Sequence, residues 1–517
     1  ARAPAMASMP RKKAWKIEPF RHKVDIDPGF GENAWKLLEK GMVEIFSKNA
    51  SGLSFEQLYR NAYNMVLHKF GPMLYEGLQA TVRKHLQGGV ERLGQENGEA
   101  LLRQLHQEWC DYTRAMQMIR DILMYMDRTY VKQHGKMPVQ ELGSEMWLEG
   151  VMRSGELQPR VCPQIIAMVA EERAGGLVDR ELIKCSVAMM VQLGGKAYAQ
   201  ELEEPLLEAS AQHFVQLAGR LMEECSVSDY VRRVEGVLAE EKGRVRAYLD
   251  PATEPKLVAV IEGELLAKRL DALLGVDRGG FEAMIADDRL EDLQRMHGLL
   301  LGIPGAQGRM KEIFYNLVYA QGERFVNDQT NLETSTSYVA GLLDLKRKYD
   351  RIVAKSFGGS KVFGAAIQRA FEGFMNLNPV SPEHVSLFLD EHLRQGFKGM
   401  SDGEAEALID QAMLLFRYLE DKDVFEKYFK QHLARRLLSS KAANEEQERS
   451  IIVKLKTECG FQFTSKVESM FTDISTSRDL MAAARSKFQA EPLPIDLSVQ
   501  VLTSGSWPIP PPPPARG

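Results

Sequence analysis

Apolar residues recur at steps of three and four along most of this 517-residue chain, with polar residues between them. In residues 116–130, the recurring apolar positions are Met116, Ile119, Leu123 and Met126. This spacing is typical of one face of an α-helix. Prolines and glycines fall mostly between such segments, where they end helices. The pattern therefore predicts an all-α body.

Strand-like alternation is rare until the region near the C-terminus. Ile495, Leu497, Val499 and Val501 are four apolar residues at alternate positions, which is typical of a half-buried strand. We therefore expect a sheet to begin here, as the start of an α+β domain.

A helical chain of this length is expected to form several bundles, each of which buries its apolar stripes against its neighbours. Polar breaks at 275–280 and 398–404 support approximate boundaries. The predicted division is an N-terminal extension (1–29), three helical regions (30–150, 151–275 and 276–395), a last domain (396–508) and a proline-rich tail (509–517).

Composition narrows the class of protein. With 44% hydrophobic residues, 26% charged residues and a net charge of −5, the chain is typical of a globular protein rather than a nucleic-acid binder. Its five cysteines are scattered without a CxxC pair, which favours a reducing compartment, the cytoplasm or the nucleus. No apolar run is long enough to cross a membrane, so no membrane association is expected.

A search for catalytic chemistry gives no positive case for an enzyme. The sequence contains no phosphate-binding glycine loop, dinucleotide fingerprint, zinc-protease motif or nucleophile elbow. Cys459 has no neighbouring histidine to activate it, so a structural thiol is the better interpretation. We therefore predict no catalytic residue, no metal site and no cofactor.

The segment 51–71 carries the sharpest local signal near the N-terminus. Ser54 is placed to cap a helix, and the Gln57 side chain is placed to accept a hydrogen bond from the Ser54 backbone N–H. Leu53 and Leu58 would form the hydrophobic staple of this cap. One stripe of the helix comprises Leu58, Ala62, Met65 and Val66, and a second comprises Phe55, Tyr59 and Tyr63. The combined arc is wider than one helix contact needs. Periodicity alone leaves two interpretations, a neighbouring helix of the same bundle or a partner protein.

Three blocks in the last third of the chain, 421–438, 454–474 and 496–508, resemble in sequence and order the first part of the C-terminal domain of cullins. Residues 51–69 and 118–131 resemble the second and fifth helices of the first cullin repeat, and their amino-acid sequence most resembles that of the cullin-3 branch. The resemblance covers essentially the whole chain from about residue 15 to residue 508.

This resemblance implies a fold and a function. The fold is an elongated stalk of three five-helix cullin repeats, followed by a C-terminal domain of helices and a sheet. The function is that of a non-catalytic scaffold of a cullin-RING E3 ubiquitin ligase, which holds a BTB-domain substrate adaptor at one end and a RING subunit at the other. The alternative is a generic helical-repeat tethering scaffold without a role in ubiquitin transfer.

The resemblance also implies contact residues. The adaptor-binding positions are Leu53, Ser54, Phe55, Glu56, Tyr59, Tyr63, Tyr125 and Arg128. The strand expected to meet the RING subunit includes Leu497, Val499 and Val501. An extension before the first repeat, residues 12–26, corresponds in position to the segment with which cullin-3 touches its adaptor, although its amino-acid sequence departs from the one expected there.

Two further expectations concern the last domain. Family members continue beyond Pro508 through the rest of the sheet and the modifier-acceptor lysine, so we expect a truncated scaffold that binds its adaptor and recruits the RING subunit weakly or not at all. The segment 427–438 contains Lys430, Arg435 and Arg436, and we interpret it as a bundle helix with a solvated basic face rather than as a site for acidic partners.

Overall fold

The computed structural model describes residues 29–275, 277–397, 399–439, 445–488 and 497–508. They form two compact units, one from Ala1–Ser210 and Glu241–Leu257, the other from Ala211–Glu240 and Val258–Gly517. Residues 1–28 of the predicted extension and the proline-rich tail lie outside the described residues. The division into three repeats stays a prediction.

The α-helices confirm the all-α body. Those of the first unit are α1 (Phe30–Phe46), α2 (Phe55–Leu67), α3 (Gly71–Gly94), α4 (Gly98–Ile122), α5 (Met124–Met126), α6 (Val139–Trp147), α7 (Gln158–Arg173), α8 (Arg180–Leu193) and α9 (Gly195–Tyr198). Three helices contribute residues to both units: α10 (Glu204–Glu224), α11 (Val227–Tyr248) and α12 (Thr253–Leu265). Short π-helical turns follow α5 (Asp127–Val131), α6 (Leu148–Met152) and α9 (Ala199–Glu203).

The regular elements in the described residues of the second unit are also helices. Its first helices are α13 (Leu270–Leu274), α14 (Phe281–Ala286), α15 (Leu290–Leu300), α16 (Ala306–Asn327), α17 (Ser335–Ser356) and α18 (Lys361–Met375). The remaining ones are α19 (Ser381–Gln395), α20 (Asp402–Tyr418), α21 (Lys422–Leu438), α22 (Glu445–Cys459) and α23 (Phe461–Phe488). The 3-10 turns among the described residues are Ala50–Gly52, Ala267–Arg269 and Asp277–Gly279.

The apolar face predicted for residues 116–130 is the face that the first unit buries. Met116, Ile119, Leu123 and Met126 are at most 1% exposed. They run from α4 into α5, and α4 packs against α1, α2, α6 and α8. This stripe is therefore part of the buried core of the unit, and it fixes the position of α5 relative to α2.

Close helix packing in the second unit depends on glycine. At Gly322 of α16, an added Cβ would lie 2.2 Å from the ring of Phe374 on α18. The Gly373 position of α18 is similarly tight, with a Tyr319 ring atom 2.8 Å from the position of a Cβ. The two helices therefore approach each other through reciprocal glycine–aromatic contacts.

The basic helix of residues 427–438 is α21, and one of its arginines overturns the expected solvated face. The Arg436 side chain is 1% exposed. Its guanidinium donates to both carboxylate oxygens of Glu448 on α22, at 2.6 and 2.9 Å, and to Asp390 on α19. The expectation was wrong for Arg436 because its acidic partners come from other helices, where helical periodicity gives no information about them.

The expected strand at residues 497–502 is absent, and no strand occurs anywhere in the described ranges. A strand needs the backbone of a neighbouring strand to complete its hydrogen bonds. Here a helix side chain takes that place: the Ser477 hydroxyl of α23 accepts from the Val501 N–H at 2.9 Å and donates to the Val501 carbonyl at 3.2 Å. Leu497, Val499 and Val501 therefore lie in an irregular segment instead of a sheet. The α+β character of the last domain is not seen in these residues.

Candidate functional site

The first part of the candidate site is the start of α2. After the turn Ala50–Gly52 the chain is extended at Leu53, and Ser54 is the N-cap, whose side-chain oxygen accepts from the Gln57 N–H at 3.3 Å. An N-cap of this kind satisfies one of the backbone N–H groups that the first helical turn leaves unpaired. The predicted cap at Ser54 is confirmed, and it fixes the direction in which α2 leaves the turn. The predicted return bond from the Gln57 side chain is not seen among the described residues.

Helix α2 has two faces, as its sequence predicts. Leu58, Ala62 and Met65 are at most 3% exposed and form its inner face. By contrast, Phe55 is 40% and Tyr59 is 36% exposed. Because an aromatic side chain has 150–250 Å² to bury, these two leave a sizeable apolar area uncovered.

A pair of tyrosines joins α2 to α5. The rings of Tyr63 and Tyr125 lie with their centroids 4.4 Å apart at an interplanar angle of 47°. Tyr63 is half-buried by this contact, which explains why it is less exposed than Phe55 and Tyr59. The two helices that the resemblance pairs are thus neighbours in the folded unit.

Beyond Tyr125 the chain forms the π-helical turn, on which Arg128 is exposed. The turn is tied to the start of α6, because the Asp127 carboxylate accepts from the Val139 N–H at 3.1 Å. Burial raises the pKa of Asp127, and this hydrogen bond partly opposes the rise. Asp127 thus fixes the turn that carries Arg128.

The expected contact residues lie on α2, on the two residues before it, on α5 and on the π-helical turn, and we name them together the α2–α5 surface. Its members are Leu53, Ser54, Phe55, Glu56, Tyr59, Tyr63, Tyr125 and Arg128. All are exposed or half-buried. Glu56 forms an ion pair with Arg60 at 2.8 Å, and both side chains are more than 70% exposed. Such a pair contributes at most about 1 kcal/mol, so Glu56 is readily available to another partner.

Two exposed apolar residues beside this surface were not predicted from the sequence. Leu67, at the end of α2, is 53% exposed, and Met124, next to Tyr125, is 37% exposed. The available signal was the helical phase: Met124 falls outside the buried stripe that contains Leu123 and Met126. Both residues extend the apolar area of the α2–α5 surface.

The second predicted site, Leu497, Val499 and Val501, is exposed at 40%, 45% and 55%. The segment that contains it is held against α23 by Asp473. This carboxylate accepts hydrogen bonds from the Thr503 N–H at 2.8 Å, the Thr503 hydroxyl at 2.7 Å and the Trp507 indole at 2.8 Å. The row of apolar side chains is therefore presented on a tethered segment, distant in sequence from the α2–α5 surface.

The part of the chain that the structure describes has its possible metal ligands scattered. It contains no group of three or more histidine, cysteine or acidic residues placed to hold a metal ion. All five cysteines are free thiols. None of its helices is both long and apolar enough to span a bilayer.

Comparison with known proteins identifies the family. The family model described as "Cullin alpha solenoid domain" matches residues 35–481. This chain belongs to the cullin family. Among curated relatives, the cullin is 41% identical to Cullin-3A and 42% identical to Cullin-3B of Arabidopsis thaliana, over 97% of its own length and 68% of theirs. It is 43% identical to Cullin-3 of Dictyostelium discoideum, over 94% of its length and 64% of that relative.

The family match agrees with the helical architecture, which is that of a cullin solenoid. The cullin spans about two thirds of the length of the curated relatives it matches. Cullin-4A of Mus musculus is more distant, at 32% identity, so the similarity is greater to the relatives named cullin-3. The roles of individual residues on the α2–α5 surface stay predictions.

Proposed function

We propose that this cullin is the scaffold subunit of a cullin-RING ubiquitin ligase and that its α2–α5 surface binds a BTB-domain substrate adaptor. The observation that carries the proposal is the pair of exposed aromatic residues, Phe55 and Tyr59, beside the Tyr63–Tyr125 contact. Aromatic residues on a rigid helix bury a large area on binding at a low cost in side-chain entropy, which makes them typical anchors of protein interfaces.

The scaffold acts by positioning its partners close to one another. A bound adaptor brings its substrate to the same assembly as the RING subunit and its conjugating enzyme, which raises the effective concentration of the substrate near the reactive thioester. The chain needs no catalytic residue for this role, and we place it in the cytoplasm or the nucleus. Leu497, Val499 and Val501 are its proposed contribution to RING binding.

The experiment measures the affinity of the chain for a purified BTB domain by calorimetry. If each of Phe55 and Tyr59 buries about 80 Å² on binding, its loss costs roughly 2 kcal/mol at ~25 cal/mol per Å². The variant Phe55→Ala with Tyr59→Ala should therefore weaken binding at least about 100-fold. Its matched control is Val43→Ala on α1, since Val43 is 50% exposed but lies outside the α2–α5 surface.

The possible results of this experiment lead to different conclusions about adaptor binding and RING binding. Unchanged affinity in the double variant would show that adaptors bind elsewhere, whereas no affinity for any BTB domain would favour a generic tethering scaffold. Capture of the RING subunit is measured separately. Strong capture that survives substitution of Val499 and Val501 by serine would contradict the proposed RING contact.

A further inference from the structure

Two cysteines lie on facing stripes of α4 and α8, which pack against each other in the first unit. The stripe of α4 follows steps of three and four residues through Arg103, His106, Cys110 and Thr113. The stripe of α8 follows the same steps through Leu182, Cys185, Met189 and Gln192. Residues at these steps share one helix face, so each cysteine belongs to the row that contains residues meeting the other helix.

The contacts at the two ends of the stripes give their register. At one end, Arg103 pairs with Asp179, the N-cap of α8, at 3.3 Å. At the other end, Thr113 and Gln192 line one groove. The helices therefore run in parallel.

Cys110 comes seven residues after Arg103, and Cys185 comes six residues after Asp179. At ~1.5 Å per residue, the two cysteines are about 10.5 and 9 Å along their helices. They are thus nearly level, on adjacent helices whose axes are expected to be about 8–10 Å apart. Each Cα lies about 2.3 Å from its helix axis. Cα atoms that face each other across such a pair of helices are therefore roughly 3.4–5.4 Å apart, which overlaps the ~4.4–6.8 Å range of disulfides.

The surroundings of the two thiols differ. His106 Nε2 lies 3.5 Å from the Cys110 sulfur, and His106 Nδ1 is buried without a hydrogen-bond partner among the described residues. Burial raises the pKa of Cys185, and the nearby Glu181 and Cys110 raise it further. Cys110 therefore has a base beside it and is the better first nucleophile.

We propose that Cys110 and Cys185 form a reactive dithiol that hydrogen peroxide converts into a disulfide between α4 and α8. The Cys110 thiol gives its proton to His106 and its sulfur attacks one peroxide oxygen. The other oxygen takes the proton from His106 and leaves as water, and Cys110 becomes a sulfenic acid. The Cys185 sulfur then attacks the Cys110 sulfur, and the hydroxyl leaves with the Cys185 proton as a second water.

The reaction balances, since two thiols lose two hydrogens and two electrons and one peroxide becomes two waters. The disulfide would join the predicted first repeat to the predicted second one, within a single compact unit. Since α4 leads directly into α5, the link restrains the helix that supports Tyr125 and Arg128. The inference does not depend on BTB binding.

The test treats the full chain with a small excess of hydrogen peroxide, blocks the remaining thiols with an alkylating agent and maps peptides without reduction. We expect one linked pair, Cys110 with Cys185, and a rise in the melting temperature that a reductant reverses. Cys110→Ser and Cys185→Ser should each abolish the link. Cys162→Ser and Cys225→Ser are the matched controls and should leave it unchanged.

Phenylarsine oxide, which binds pairs of nearby thiols, gives an independent measurement that requires no oxidation. The chain should bind one equivalent, and either serine variant should bind none while its circular dichroism stays that of the parent. His106→Gln should slow the peroxide reaction at least several-fold and leave arsenical binding intact. Oxidation of Cys110 to sulfinic acid without a link, or links distributed among other cysteines, would overturn the proposal.

Discussion

Arg436 gives the clearest quantitative prediction about the second unit. Its guanidinium is buried, and the carboxylates that it bonds, Glu448 and Asp390, are at most 4% exposed. Arg436→Met keeps most of the side-chain volume but removes the charge. The buried Glu448 carboxylate then loses its two hydrogen bonds from Arg436.

Breaking a buried ion pair from one side costs about 3–5 kcal/mol, because the remaining charge stays desolvated. Asp390 retains contacts with Arg394 at 3.4 Å and His432 at 3.5 Å, so most of the loss falls on Glu448. We therefore expect the free energy of opening α21 and α22 to fall by about 3–5 kcal/mol. Amide exchange in these helices should accelerate roughly 150- to 5000-fold.

Hydrogen–deuterium exchange with peptide resolution is the appropriate assay, since a chain with two units need not unfold in one step. The control is Arg436→Met combined with Glu448→Leu, which removes both charges and should recover most of the protection. A loss below about 1 kcal/mol in the single variant would refute the reasoning, because it would show that water reaches Glu448.

Three further predictions concern the tethered segment, the helix packing and the cap. Asp473→Ala should accelerate amide exchange in residues 501–507. Burial tends to raise the pKa of Asp473, but the hydrogen bonds that it accepts leave this pKa below the ordinary 3.8. The tether is therefore complete above pH 3.8. Acidification through the lower native pKa should release the segment in the parent and have no further effect in the variant. Gly322→Ala should lower the free energy of opening α16, measured by amide exchange, by about 1–3 kcal/mol, whereas Gly308→Ala, in open space on the same helix, should be neutral or stabilising. Ser54→Ala should lower the protection of α2 amides by about 1 kcal/mol, and Ser54→Asp should preserve this protection. Equal losses of BTB affinity in both variants would assign Ser54 a contact role in addition to its role as the cap.

The elements that the sequence predicts correctly depend on local patterns. The buried stripe through Met116 and Ile119 and the cap at Ser54 involve residues within one or two helical turns, where spacing determines the outcome. The two faces of α2 are predictable for the same reason. The exposure of Phe55 was not, because an exposed aromatic margin and one that packs on a neighbouring helix have the same spacing.

The predictions that fail depend on residues distant in sequence. Arg436 is buried because Asp390, 46 residues earlier, and Glu448, 12 residues later, surround it. Val501 has the alternation of a strand but satisfies its backbone groups with the Ser477 side chain, 24 residues earlier. Alternation describes which side chains share a face, and the presence of a strand is decided by whether a second strand lies alongside.

Helix α2 shows why binding and folding can be separated in this cullin. Its fold depends on an inner face that includes Leu58, and removal of such a buried side chain costs about 2–5 kcal/mol. Phe55 and Tyr59 lie outside that face and are already more than one third exposed, so their loss changes folding little. Tyr63 is intermediate, since its ring also holds α2 against Tyr125. Binding defects at Phe55 and Tyr59 therefore report the interface itself, whereas a defect at Tyr63 reports the interface and the support of α5 together.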